Sequence, residues 1–102
     1  MYAYQLTGPN QGVYLEVDRP QPAPDEILIR THRVGLCGTD VEMLQGTMPY
    51  FRLGWTQYPV ILGHEWSGTV EEVGSAVENF ATGDRVTGDV TIGCGDCVNC
   101  MR

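Results

Sequence analysis

Three stretches of this 102-residue chain carry side chains able to hold a metal ion: Cys37-Gly38-Thr39-Asp40, Gly63-His64-Glu65, and the run containing Cys94, Cys97 and Cys100. The last has the tight Cys-x2-Cys-x2-Cys spacing that folds one loop around a tetrahedral zinc, a site normally closed by four protein ligands. Three thiolates are in hand, and the fourth ligand is expected beyond residue 102. The other two stretches suit a different site. A catalytic zinc takes three protein ligands and keeps one position for water or substrate, and Cys37 and His64 supply two of the three. Glu65 is a candidate for direct ligation or for the groups packed behind the ligands. Asp40 can accept a hydrogen bond from the other ring nitrogen of His64, which fixes the tautomer and raises its basicity. Thr39 sets a hydroxyl beside the metal, able to pass on a proton from an alcohol that the cation has acidified. Taken singly, a cysteine is often just a small buried hydrophobe and a histidine a satisfied polar residue; the combination makes a metal site the sharper reading.

Residues so far apart in sequence need a fold to bring them together, and the pattern along the chain is mostly that of strands. Tyr2 to Leu6 and Val13 to Val17 read as strands joined by the turn-forming run Gly8 to Gly12. Pro20, Pro22 and Pro24 make a stiff connector. From Glu26 to Val34 apolar and polar residues alternate in a strand that delivers Cys37 at its far end. Gly38 to Gly46 is the one convincing short helix, with Val41 and Leu44 on its apolar side and Gly46 as its stop. Tyr50, Phe51, Trp55 and Tyr58 form an aromatic-rich loop that caps the fold or walls a cleft. Trp66 to Val73 alternates again, with Glu71-Glu72 as a solvated strand edge, and Arg85 to Ile92 is a last strand leading into the cysteine loop. His32 reads as a surface strand residue. Many short strands between glycine-rich turns predict a small, irregular β-barrel.

Composition limits what such a chain does. At 42% hydrophobic residues the chain has enough apolar material for one domain, residues 1–102, and not for two. Thirteen acidic residues against six arginines and no lysine give a net charge of -7, which repels a phosphate backbone, so nucleic acid is not an expected partner. No apolar run is long enough to cross a bilayer and no secretion signal opens the chain; no membrane association and a cytoplasmic location are expected. Without such a signal the four cysteines favour metal binding, with disulfide pairing as the alternative.

Four motifs occur here in a recognisable order: Cys37-Gly38-Thr39-Asp40; Gly63-His64-Glu65 followed by Ser67-Gly68-Thr69-Val70 and Val73-Gly74; Gly83-Asp84-Arg85-Val86; and the Cys94/Cys97/Cys100 cluster. In that order the chain resembles the N-terminal part of the zinc-dependent medium-chain alcohol and polyol dehydrogenases, and within them the threonine and sorbitol dehydrogenase branch. The resemblance implies a mainly β fold, a GroES-like irregular barrel with one or two short helices. It implies zinc held by Cys37 and His64 with Glu65 adjacent, Thr39 as the proton-relay hydroxyl, Asp40 behind the histidine, and Cys94, Cys97 and Cys100 as structural zinc ligands. It also implies a small alcohol or polyol substrate and NAD or NADP as hydride acceptor, while apolar surface and a strand edge left without partners make a homo-oligomer the expectation. No Gly-x-Gly-x-x-Gly follows a strand in this chain, so no Rossmann unit is expected in it. Two functions follow as alternatives: a dehydrogenase segment inactive alone, or a non-catalytic barrel module that associates with itself or with another protein. Trp66, where a smaller residue is expected from the resemblance, is a departure.

Overall fold

The computed structural model describes residues 1–101. Six strands and two helices follow one another as β1 (Tyr2–Gly8), β2 (Gln11–Glu16), β3 (Ile27–Gly35), α1 (Gly38–Gln45), α2 (Pro49–Arg52), β4 (Val60–Ile61), β5 (Glu65–Val73) and β6 (Arg85–Thr87). The strands form two antiparallel three-stranded sheets, ordered β2-β1-β4 and β3-β5-β6. The mainly β fold expected from the sequence is what the chain adopts.

The first hairpin turns more tightly than its glycine-rich linker suggests. Gly8 already pairs with Gln11, and Asn10 takes φ 55°, a left-handed conformation that asparagine tolerates better than most residues. That turn docks on α1, where the Asn10 N–H donates to the Leu44 carbonyl at 2.6 Å. The far end of α1 is held twice more. Gly46 adopts the left-handed φ of 73° that ends helices, and the Tyr58 hydroxyl donates to the Met43 carbonyl at 2.7 Å. A main apolar cluster of Leu6, Met43 and Met48, with Phe51, Tyr58, Val60 and Leu62 against it, joins the first sheet to both helices. Phe51 and Tyr58 stack with centroids 4.5 Å apart, so these two aromatics cap the core.

In the second sheet β3 and β5 pair along nine-residue strands, and Val70 at their centre is 1% exposed. Gly68 is there because nothing larger fits: a Cβ on it would meet the Arg30 carbonyl at 2.4 Å and Ile29 Cγ2 at 2.6 Å. Gly68→Ala is therefore expected to cost about 1–3 kcal/mol by overpacking, read as a lower midpoint in thermal unfolding. Gly38→Ala, with no atom within 4 Å of the new methyl group, should stay within about 0.5 kcal/mol of the parent.

Four details differ from the sequence reading. The inward face of α1 is Asp40 and Met43, whereas Val41 and Leu44 are 49% and 36% exposed. The last strand stops at Thr87 instead of Ile92, because residues 88–92 find no strand partner. A second short helix, α2, occupies what reads as loop, begun by Pro49 at a position where its missing N–H costs nothing. Glu71 and Glu72 lie on the central strand of their sheet, not on an edge, and pair with arginines: Arg19 lies 2.7 Å from Glu72 and 3.5 Å from Glu71, and Arg30 also bonds Glu71. No helix among the described residues is long and apolar enough to cross a membrane.

Candidate metal centres

The ladder between β3 and β5 explains how residues 27 positions apart come together. Gly35 is the Cα partner of Glu65 at the end of the register. Two residues past Gly35 lies Cys37, and one residue before Glu65 lies His64, so the two strand ends deliver a thiol and an imidazole to the same place. Ligand atoms of Cys37, His64 and Glu65 all lie within 4.8 Å of one another. Gly35 also makes room for the carboxylate, since a Cβ there would come within 2.8 Å of Glu65 Oε2.

Asp40 ties this corner to α1. Buried to 6% exposure, it accepts a hydrogen bond from the Cys37 N–H at 2.9 Å through Oδ2, closing the first turn of the helix. Its other oxygen, Oδ1, faces His64 Nδ1 at 3.4 Å. An imidazole whose Nδ1 proton is directed at a carboxylate keeps Nε2 as its basic nitrogen. Thr39 Oγ1 lies 3.9 Å from Cys37 Sγ. The Thr39 N–H, followed by the hydrogen bonds of His64 and the Thr39 hydroxyl, holds the Cys37 thiol below its ordinary range. The hydrogen bond to Cys37 in turn raises the His64 pKa, against desolvation and with the help of Asp40. Each of the two groups thus favours the charged form of the other.

The pair opens into a cleft of about 610 Å³ whose further walls are Met43, Tyr50, Thr56, Ile61, Leu62 and Val90. Tyr50 therefore belongs to a cleft wall, while Phe51 and Tyr58 belong to the core. Sequence reasoning treated the aromatic loop as one unit and did not single out Ile61, Leu62 or Val90, which carry no signal beyond being apolar. His32 is exposed, as expected of a surface strand residue, with Nε2 3.0 Å from Thr69 Oγ1 and no part in the cleft.

The second cluster is open to solvent. Cys94, Cys97 and Cys100 are exposed, and their sulfurs lie within 4.8 Å of one another, with Cys94 to Cys100 at 3.6 Å and Cys97 to Cys100 at 3.4 Å. All four cysteines of the chain are free thiols. Backbone N–H groups of Asp96 and Cys97, then the neighbouring thiols, lower the Cys94 pKa to about 7. Because the folded value lies below that of an ordinary thiol (about 8.5), the fold favours the thiolate, and this preference is lost as pH falls through about 7. In metal-free protein, alkylation of Cys94 should reach half its maximal rate near pH 7, a full unit or more below a free cysteine, as followed by mass spectrometry of the modified peptide.

Comparison with known proteins gives the family. Residues 23–102 match the model of the alcohol dehydrogenase GroES-like domain. An acryloyl-coenzyme A reductase of Sulfurisphaera tokodaii is 44% identical over 99% of this chain and 29% of its own length. An L-threonine 3-dehydrogenase of Vibrio parahaemolyticus is 39% identical over 90% of this chain and 26% of its own. Among solved structures, the apo form of zinc-dependent alcohol dehydrogenase 2 from Streptococcus pneumonia superimposes with a TM-score of 0.84 at 36% identity, over 99% of this chain and 28% of that one. The NADP-bound zinc-binding dehydrogenase of Sinorhizobium meliloti, described as putative, does so with 0.82 at 40% identity, over 98% and 28%. The chain belongs to the alcohol dehydrogenase GroES-like domain family, and it spans less than a third of the length of these relatives.

Proposed function

We propose that this chain is the metal-binding, N-terminal part of the catalytic unit of a zinc-dependent alcohol or polyol dehydrogenase that uses NAD or NADP. The convergence of Cys37, His64 and Glu65 at the foot of a cleft carries this reading. A thiolate, an imidazole and a carboxylate suit zinc, which accepts sulfur, nitrogen and oxygen donors alike. Cys37 and His64 would hold the cation with Glu65 in reach. Bound there, zinc supplies the Lewis acidity that polarises an alcohol oxygen and lowers the pKa of its proton. Asp40 keeps the His64 ring turned, and Thr39 offers the hydroxyl that takes up that proton. Cys94, Cys97 and Cys100 would form a second, structural zinc site. Hydride transfer needs a bound nicotinamide, and this chain has no glycine-rich dinucleotide motif, so alone it is expected to be inactive.

Zinc titration of the chain tests the proposal. One equivalent should bind at each cluster, His64→Ala should lose the first and Cys97→Ser the second. Full retention of both equivalents in His64→Ala would refute the cleft as a zinc site.

Self-association is a second reading, and one observation favours it. A folded monomer of 11.3 kDa exposes about 5,700 Å², whereas this chain exposes 7,879 Å²; the excess of roughly 2,200 Å² is more than twice the roughly 800 Å² that each partner buries in a standard interface. Part of that excess is aromatic: Tyr2, Tyr4 and Tyr14 are all more than half exposed on the first hairpin, and Tyr2 stacks on Tyr14. The expected homo-oligomer is read by light scattering coupled to size exclusion at micromolar concentration; a strictly monomeric species would exclude it.

A further inference from the structure

We propose that one face of the second sheet holds a small oxyanion of the phosphate class, in a hollow that shares no lining residue with the cleft beside Cys37 and His64. The register places it. Arg30 on β3, Thr69 on β5 and Arg85 on β6 are Cα partners across the three strands, and directly opposed residues project from the same face of a sheet. One row of that face therefore presents a guanidinium, a hydroxyl and a second guanidinium. The next row on the same face is Arg33, Ser67 and Thr87, which adds a third guanidinium and two more hydroxyls.

His32 joins the row through an irregularity in the ladder. Thr31 pairs with Gly68 and Arg33 with Ser67, so His32 is the extra residue of a bulge, a feature that re-aims a side chain. Its Nε2 lies 3.0 Å from Thr69 Oγ1. With the ring proton on Nε2, the imidazole donates to that oxygen and leaves the threonine proton to point at a ligand. Thr87 donates its own proton to the Trp66 carbonyl, so Thr69 and Ser67 are the hydroxyls left to donate. Together His32, Ser67, Thr69, Arg85 and Thr87 line an open hollow of about 500 Å³, with room for a tetrahedral oxyanion and part of its hydration shell.

Charge decides the class of ligand. The chain carries a net charge of -7, yet three of its six arginines share this one face. Arg30 gives one nitrogen to Glu71 and so shares its charge with a carboxylate. Arg33 and Arg85 make no salt bridge among the described residues. Asp84, next in sequence to Arg85, uses its carboxylate to accept the Ala81 N–H at 2.9 Å. Arg85 is therefore the anchor, and its planar fork of N–H groups matches two oxygens of a phosphate.

Titration of the chain with sodium phosphate, at fixed pH and with ionic strength held by sodium chloride, tests this by two-dimensional NMR. The amide signals of Thr69, Arg85 and Thr87 and the ring signals of His32 are expected to move along saturable curves. Sodium chloride alone should leave them in place. Arg85→Gln and Thr69→Val should each weaken the apparent affinity about tenfold, the loss of one hydrogen bond to a charged group. Arg52→Gln removes the same charge from exposed α2 and should change nothing. Phenyl phosphate is a separate arm: tighter binding than inorganic phosphate gives the site to a phosphorylated molecule, equal or weaker binding gives it to the free ion, and both support the site. Signals that follow chloride as they follow phosphate, or an affinity unchanged in Arg85→Gln, overturn the proposal. Shifts driven by protein concentration alone, with none from phosphate, give the face to a second copy of the chain and overturn it as well.

Discussion

Cys37→Ser is expected to empty the cleft of metal while leaving the second cluster loaded. Losing a group that merely sits behind a metal ligand costs 10–100-fold in affinity, so replacing a ligand itself should cost at least about 100-fold. Serine keeps the size of the side chain and the backbone N–H that bonds Asp40, so the first turn of α1 survives. The change is confined to the donor atom, and unfolding of the metal-free variant should differ little from that of the parent. Cobalt titration separates the two sites: thiolate-to-cobalt absorption should fall by the share belonging to the cleft in Cys37→Ser, and by the remainder in a variant lacking Cys94, Cys97 and Cys100.

The second large effect is expected at Asp40, because one buried carboxylate serves two elements. Through Oδ2 it accepts the Cys37 N–H, and through Oδ1 it faces His64. Asp40→Ala should lose roughly 1 kcal/mol of stability by uncapping the helix start and, in addition, 10–100-fold in cleft metal affinity by freeing the imidazole. Asp40→Asn divides these effects. Its amide oxygen can still accept the Cys37 N–H, so most stability should return, while the charge facing His64 is gone and affinity stays low. Thermal unfolding and metal titration on the two variants measure both quantities.

That carboxylate also shows where sequence and structure part company. Val41 and Leu44 mark the apolar side of α1 by composition, yet the helix turns inward the side that holds Asp40 and Met43. A polar side chain is buried there because it has a donor on one side and a histidine on the other, and such partners cannot be seen in a one-dimensional pattern. The long strands were legible, since β3 and β5 alternate and end at glycine-containing turns. The last one was overextended because residues 88–92 alternate without a neighbouring strand to pair with. Periodicity alone does not bring Cys37 to His64; the order of motifs suggested it, and the register that sets Gly35 opposite Glu65 accounts for it. The apolar wall was not legible at all. Ile61, Leu62 and Val90 look like ordinary core residues in sequence, and only the folded chain brings them to the lining of a cleft.

Anomalous diffraction at the zinc edge from crystals of the zinc-loaded chain tests the central claim most directly. The account predicts a peak within bonding distance, about 2.0–2.3 Å, of both Cys37 Sγ and a His64 ring nitrogen, beside the Glu65 carboxylate. Zinc found only among Cys94, Cys97 and Cys100, with Cys37 and His64 bare at saturating metal, would contradict it.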